Sequence, residues 1–79
     1  MNLVNKIRNS FNEKKLKIII FDKYINIINY SVINDISNEK IIINNQNITI
    51  NGRNLKVIKL LDNEILIEGL LSNLEYKNE

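Results

Sequence analysis

The sequence predicts a mainly β protein: a small antiparallel β-sandwich or roll of about seven or eight short strands, with one short amphipathic helix at the N-terminus. Three observations predict this class. From Leu16 onward, apolar residues recur with a period of two, in Ile-rich runs broken by Asn, Asp and Ser. An eleven-residue pattern occurs twice, and residues 1–13 show helical spacing instead. We therefore divide the chain into an N-terminal basic helix, 1–13, and an all-β domain, 14–79.

The strands are expected where alternating apolar residues lie between turn-forming clusters. The expected ranges are 16–21, 24–28, 30–34, 39–44, 47–51, 54–60, 64–68 and 73–77. The expected core consists of Ile18, Ile20, Ile25, Ile27, Val32, Ile41, Ile43, Ile48, Ile50, Leu55, Val57, Ile65, Ile67, Leu74 and Tyr76.

An internal repeat predicts two β-hairpins of one design. The segments "KIIIFDKYINI" and "KIIINNQNITI" begin at Lys17 and Lys40, 23 residues apart, and align without gaps. In the second copy, four consecutive Asn and Gln residues form a natural loop, because Asn tolerates the left-handed region. The repeat also leaves a short β-solenoid open as the alternative architecture.

Three positions are candidate structural hinges: Asn29, Gly52 and Gly69. Each follows an Ile-x-Ile pair, and beyond each the parity of the apolar residues changes. A strand that keeps one face buried needs an extra residue to change parity, as in a bulge, a corner or a tight turn. Bends or bulges are favoured over a hairpin turn at Asn51 and Gly52, and coincidence of the two glycines is the third possibility.

The N-terminal segment is predicted to be an amphipathic helix and is a candidate contact surface for a membrane or a partner. Its apolar stripe is formed by Leu3, Val4, Ile7 and Phe11. The cations beside the stripe are Lys6, Arg8, Lys14 and Lys15, and residues 1–17 carry a net charge of +4 on a body of net charge −2. The stripe has two other possible uses, which are to cover an open sheet face or to pack on another subunit.

Composition argues against catalysis and cofactor binding. The chain has no His and no Cys, so the usual zinc, haem and thiol chemistries lack their ligands. Possible acid or base groups lie beside expected turns, where charge is expected in any case: Asp22, Asp35, Asp62 and Glu64. We expect no enzyme activity, no cofactor, no metal and no small-molecule substrate. The wealth of Ile, Asn and Lys indicates a genome that is low in GC, because the codons of these residues are rich in adenine and thymine.

Nucleic-acid binding is not expected either, because single-strand recognition needs aromatic residues on a basic sheet face. Here the aromatic residues are interspersed with acids, and the positive charge lies in the helix. The apolar runs are too short to span a bilayer and the N-terminus lacks signal-peptide features, so a cytoplasmic location is expected. Ile-rich edge strands without Pro favour pairing between copies, and we expect a homo-oligomer.

The segment "INGRNLKVIKLLDNEILIEGLLSNLEY" resembles the C-terminal pattern of the YabP/YqfC family of sporulation proteins. That pattern is Ile-x-Gly-x-x-Leu-x-Ile, a polar turn, Ile-x-Ile-x-Gly and a last strand ending in an aromatic residue. The matching positions are Gly52, Leu55, Val57, Ile65, Ile67, Gly69, Leu74 and Tyr76. The similarity extends over about residues 16–76, but family members often carry Gly where this chain has Asn29.

The resemblance implies a non-catalytic protein of the mother cell, required for spore maturation during endospore formation. It also implies a location at the forespore membrane and a membrane protein of the YqfD type as partner. The alternative from a different class is a peripheral membrane or nucleic-acid binding module that uses the basic helix.

Overall fold

A computed structural model describes residues 15–77, which form six β-strands. The strands are β1 (Lys17–Phe21), β2 (Tyr24–Ile28), β3 (Ile33–Ile36), β4 (Lys40–Ile43), β5 (Ile48–Leu60) and β6 (Glu64–Tyr76). They make one sheet in the order β1-β2-β6-β5-β4-β3, and every neighbouring pair is antiparallel. The predicted mainly β, antiparallel class is confirmed. The predicted N-terminal helix lies outside the described residues.

The internal repeat forms two hairpins with the same register. In the first, Ile18 pairs with Ile27, and at the equivalent place in the second Ile41 pairs with Ile50. The second strand of each hairpin then pairs with a different part of β6. Because these strands pair antiparallel in one sheet, the solenoid alternative is wrong for residues 15–77.

The long hairpin of β5 and β6 replaces four of the predicted strands. The expected breaks after 51 and 68 lie inside two continuous strands of 13 residues each. The pairing shifts register three times, between Asn51 and Gly52, between Arg53 and Lys56, and between Val57 and Lys59. Bulges let a strand change its buried parity without ending, so the described chain has six strands rather than the seven or eight predicted.

The long hairpin bends back on itself at these bulges. Near one end, the Asn29 N–H donates to the Asn63 carbonyl over 2.5 Å, and near the other the Ser31 N–H donates to Asn44 Oδ1 over 2.6 Å. Only Tyr30 lies between Asn29 and Ser31 in the chain, so these two contacts hold Asn44 and Asn63 within roughly 20 Å of each other. A straight 13-residue strand would hold its ends about 40 Å apart. The bend therefore divides the sheet into two halves.

We call these parts the first and second half-sheets. The first half-sheet contains β1, β2, residues 64–68 of β6 and residues 56–60 of β5; the second contains β3, β4, residues 48–53 of β5 and residues 70–76 of β6. One buried cluster takes four isoleucines from each half-sheet and Leu55 from the bend: Ile25, Ile27, Ile65, Ile67, Ile41, Ile43, Ile48, Ile50 and Leu55. All nine were predicted core residues.

Three predicted core residues are exposed instead. The exposed fraction is 51% for Ile20, 37% for Val32 and 52% for Tyr76. Ile20 lies on the edge strand β1, Val32 precedes β3, and Tyr76 ends β6. Alternation predicts which face a residue occupies, but it does not reveal whether a strand lies at the centre or the edge of the sheet.

Candidate functional site

The bend of the long hairpin contains both glycines, and each lies where a side chain would collide with backbone. A Cβ at Gly52 would overlap the carbonyl oxygen of Leu70. A Cβ at Gly69 would lie 2.9 Å from the Asn54 carbonyl oxygen and from Leu55 Cα. Gly69 also has a φ of 156°, which L side chains rarely adopt. Close backbone contact across the hairpin therefore requires glycine at both positions.

Asn29, the third predicted hinge, immediately follows β2 and has a φ of 65°. Its side-chain Nδ2 donates to the carbonyl of Lys15 over 2.9 Å, and the Asn63 Nδ2 donates to its Oδ1 over 3.4 Å. Asn is the residue other than glycine that most readily adopts this backbone region. Asn29 thus connects the start of β1, the end of β2 and the tip of the long hairpin.

The turns of two short hairpins, β1–β2 and β3–β4, accept backbone hydrogen bonds from the bend. The Gly69 N–H donates to the Lys23 carbonyl over 2.9 Å, in the turn between β1 and β2. The N–H groups of Gly52 and Leu55 donate over 3.0 and 2.9 Å to the carbonyls of Glu39 and Asn38, in the turn between β3 and β4. These bonds satisfy backbone groups that the bulges remove from the strand ladder.

An open cleft of about 330 Å³ lies beside the bend, lined by Lys23, Asn54, Lys56, Glu68, Gly69 and Leu70. Lys23 Nζ lies 3.3 Å from Glu68 Oε2 and 5.8 Å from the centre of the Tyr24 ring. The hydrogen bond that Lys23 donates to Glu68, and then the negative charge of Glu68, raise the pKa of Lys23 above its ordinary value. Lys23 therefore stays protonated at neutral pH and cannot act there as a general base.

Edge strand β1 carries three exposed large apolar side chains, and one of them, Phe21, is the most exposed among the described residues. Ile19 is 49% exposed, Ile20 51% and Phe21 74%. β1 pairs only with β2, so the backbone groups along its other edge have no strand partner among residues 15–77. The strand is five residues long and free of bulges, with one charge, on Lys17. A free, apolar and regular edge of this kind is suited to pairing with another strand.

The predicted contact residues of the N-terminal segment are mostly outside the described residues: Leu3, Val4, Lys6, Ile7, Arg8, Phe11 and Lys14. Lys15 is described and exposed, and its carbonyl accepts the Asn29 bond. Among the possible acid or base groups, Asp22, Asp35 and Asp62 are exposed, and Glu64 accepts a hydrogen bond from Asn26. Within residues 15–77, no three metal-ligating side chains lie together, and no helix there could cross a bilayer.

Sequence reasoning missed the positive φ of Asp22 and Asn54. Asn44, Asn45 and Gln46 also have positive φ, and they lie in the loop that was predicted from the tolerance of Asn for this region. Asn54 lies in the bend, two residues after Gly52, where the pairing skips from Arg53 to Lys56. The abundance of Asn was the available signal, because Asn and Asp adopt positive φ more easily than other residues with a side chain.

Fold and site together define a small antiparallel β protein with a bent central hairpin and an apolar edge strand that has no second strand partner within residues 15–77. No family model, curated protein or solved structure matches the chain.

Proposed function

We propose that the protein is a non-catalytic structural or assembly factor that acts through self-association and protein contacts. The observation that carries the proposal is the edge of β1 that has no strand partner among residues 15–77, where Ile19 is 49% exposed, Ile20 51% and Phe21 74%. Exposed apolar edge strands are normally protected by charge, Pro or bulges, because they pair with other strands. An edge whose only such protection is the charge of Lys17, at the first residue of the strand, is expected where pairing is the function.

The sequence of β1 suits antiparallel pairing with β1 of a second copy. Pairing centred on Ile19 sets Ile18 opposite Ile20 of the other copy and Lys17 opposite its Phe21. No like charges then face each other, and such a two-fold contact is self-complementary. The first half-sheets of the two copies would form one continuous sheet.

The biological setting comes from the resemblance to YabP/YqfC proteins, supported by the matching positions from Gly52 to Tyr76. On this basis the protein acts in endospore maturation, in the mother cell and at the periphery of the forespore membrane, with a YqfD-type membrane protein as partner. We also propose that the bent sheet is a small β-roll, since its two isoleucine faces share one buried cluster. Deletion of the gene in its host should lower the yield of heat-resistant spores, and a normal yield would contradict the sporulation role.

Sedimentation velocity of wild type and Ile20→Lys tests self-association. A charge pointing inward from an edge strand opposes pairing, so wild type should sediment as a dimer or larger at high micromolar concentration and the variant as a monomer. The matched control is Ile36→Lys, on edge strand β3. Ile20 and Ile36 are 51% and 46% exposed, and each pairs with a fully buried isoleucine. A monomeric wild type, or equal effects of both variants, would refute the β1 contact.

A further inference from the structure

Asn51 is followed by glycine, and no other Asn-Gly pair occurs in the chain. In such a pair the backbone nitrogen of the glycine can attack the side-chain amide carbon of the asparagine, because glycine has no Cβ to hinder the approach. The attack closes a succinimide ring and releases ammonia, which carries away the proton that the nitrogen loses. Water then opens the ring at either carbonyl and gives an aspartyl or a β-aspartyl residue. Asn51 and Gly52 therefore have the sequence of a spontaneous deamidation site.

The bend requires the same glycine that makes this sequence reactive. A Cβ at Gly52 would overlap the carbonyl oxygen of Leu70 across the hairpin. A side chain at this position would slow the attack on Asn51, but it would also disrupt the bend. With Asn51 and Gly52 both in place, protection from deamidation has to come from the conformation and the hydrogen bonds around them.

The structure holds both reacting groups in hydrogen bonds. The Gly52 N–H donates to the Glu39 carbonyl over 3.0 Å, so its proton is shielded from the base that would remove it. The Asn51 Nδ2 donates to Asn73 Oδ1 over 2.8 Å, which directs the Asn51 side chain toward β6. Both bonds have to break before the Gly52 nitrogen can reach the side-chain carbon of Asn51.

Strand pairing adds a second restriction. Asn51 belongs to β5 and is paired on both sides, with Lys40 on β4 and with Asn73 on β6. Ring closure requires rotation about the Cα–C bond of Asn51, which brings the Gly52 nitrogen to the side chain. This rotation changes the direction of the strand and breaks its pairing. The ring therefore forms only after this part of β5 has left the sheet.

The Glu39 carbonyl belongs to the turn between β3 and β4, and the side chain of Ser37 holds that turn. Ser37 Oγ donates to the Lys40 carbonyl and accepts from the N–H groups of Glu39 and Lys40, over 3.0 to 3.3 Å. A turn from another part of the chain thus positions the oxygen that accepts from Gly52. Protection of the Gly52 nitrogen is expected to weaken when this turn is loosened.

We propose that Asn51 is a deamidation site that the folded bend keeps inactive and that local opening of the bend exposes. Opening breaks the bonds to Glu39 and Asn73 and frees the Gly52 nitrogen to attack. In the β-aspartyl product the main chain runs through the former side chain, which adds a backbone atom between Asn51 and Gly52. This extra atom moves Gly52 away from the position at which it fits against Leu70. A chain with the β-aspartyl linkage therefore cannot re-form the bend.

Deamidation rates of the full chain test the proposal. Trypsin releases the peptide from Ile41 to Arg53, and tandem mass spectrometry locates the conversion of amide to acid within it. At mildly alkaline pH, Asn51 should react at least about tenfold more slowly in native buffer than in chains unfolded by guanidinium chloride, because the reaction requires the open form. Asn47 is the control in the same peptide, since it is followed by β-branched Ile and should stay unmodified under both conditions.

Ser37→Ala and Ser72→Ala are a matched pair that tests the role of the turn. Ser37→Ala removes the side-chain bonds of the turn and should speed deamidation of Asn51 in native buffer at least about threefold. Ser72→Ala changes an exposed residue of β6 and should leave the rate unchanged.

Three results would overturn the proposal. Equal rates of Asn51 deamidation in folded and unfolded wild type would show that the bend gives no protection. Absence of the reaction in the unfolded chain would show that Asn51 is not a deamidation site. Equal rates in Ser37→Ala and Ser72→Ala, with circular dichroism showing both variants folded, would show that protection does not depend on the Glu39 bond.

Discussion

At the scale of single residues, backbone conformation determines which substitutions the protein tolerates. Asn29 and Gly69 lie at opposite ends of the pairing between β2 and β6. Asn29 follows the last residue of β2, and Gly69 lies at the bend of β6. Both have positive φ, but for Gly69 close backbone contacts add a steric restriction. The two positions should therefore respond differently to the same replacement.

Replacement of Asn29 by Ala and by Gly measures the cost of its φ of 65°. Both changes remove the bond to the Lys15 carbonyl, so the difference between them reports the backbone alone. Ala should be less stable than Gly by about 1 kcal/mol, because a Cβ disfavours left-handed backbone. Urea denaturation at equal protein concentration measures this difference. Equal midpoints would show that residue 29 leaves the left-handed region without cost.

Gly69→Ala should lower the free energy of unfolding by more than about 2 kcal/mol, through its φ and through overlap with Asn54 and Leu55. Ser72→Ala is the control, since Ser72 is exposed on the same strand and should change stability by less than about 0.5 kcal/mol. Thermal and urea denaturation compare the two variants. If they were equally stable, Gly69 would not be required at the bend.

The hinge residues show what the sequence can and cannot reveal at this scale. A change of parity marks the residue near which a strand must bulge or bend, and Gly52 lies at a register shift. Asn54 also has positive φ, because the pairing of β5 with β6 passes from Arg53 directly to Lys56 and leaves Asn54 in a bulge. Such a skip is a property of two strands, so a pattern along one strand does not locate it.

At the scale of elements, the repeated hairpins were predictable and the continuity of the long strands was not. The repeat fixes both strands of each hairpin within eleven residues, and turn length sets their register. By contrast, the polar residues at the bend of β5 looked like the end of a strand. They form a bulged corner because the turns at Lys23 and at Asn38 and Glu39 bond to it from both edges. Those contacts come from distant parts of the chain.

Leu55 and Leu70 give a matched test of packing at the corner. Leu55 is 6% exposed and contacts both glycines, whereas Leu70 is 59% exposed. Leu55→Ala should cost about 2–4 kcal/mol by leaving a cavity inside the bend. Leu70→Ala should change stability by less than about 0.5 kcal/mol. Urea denaturation midpoints at one protein concentration measure the two losses of stability. Equal losses would show that Leu55 does not stabilise the bend more than Leu70 does.

At the scale of the whole molecule, the proposed β1 contact should make stability depend on protein concentration. If the folded form dimerises and the unfolded form does not, the unfolding temperature rises with concentration by mass action. For a tight dimer, each tenfold increase adds about 1.4 kcal/mol per mole of dimer. Differential scanning fluorimetry from low to high micromolar concentration measures the shift. Ile20→Lys should remove the dependence and Ile36→Lys should keep it, and a wild-type midpoint independent of concentration would contradict the proposal.

The sheet order is the property of the whole molecule that the sequence reveals least. Alternation correctly assigns nine buried residues, but it treats Ile20 like Ile25, although one lies at an edge and the other on an inner strand. The insertion of β6 between β2 and β5 joins segments far apart in sequence. The sequence of β2 does not reveal that β6 is its neighbour, because its apolar and polar residues would alternate in the same way beside any other apolar strand.

The position of β6 also has a consequence for how the chain folds. During synthesis the β1–β2 hairpin emerges before the strand that completes its pairing, in which Ile67 and Ile65 lie opposite Ile25 and Ile27. Folding must close a loop of about forty residues before this pairing forms, and topologies rich in such distant pairs fold slowly. Until then Ile25 and Ile27 have no partner on β6, and a hairpin from a neighbouring nascent chain with the same register can compete for them. The interval before β6 is made is therefore when this half-sheet is most exposed to misassembly.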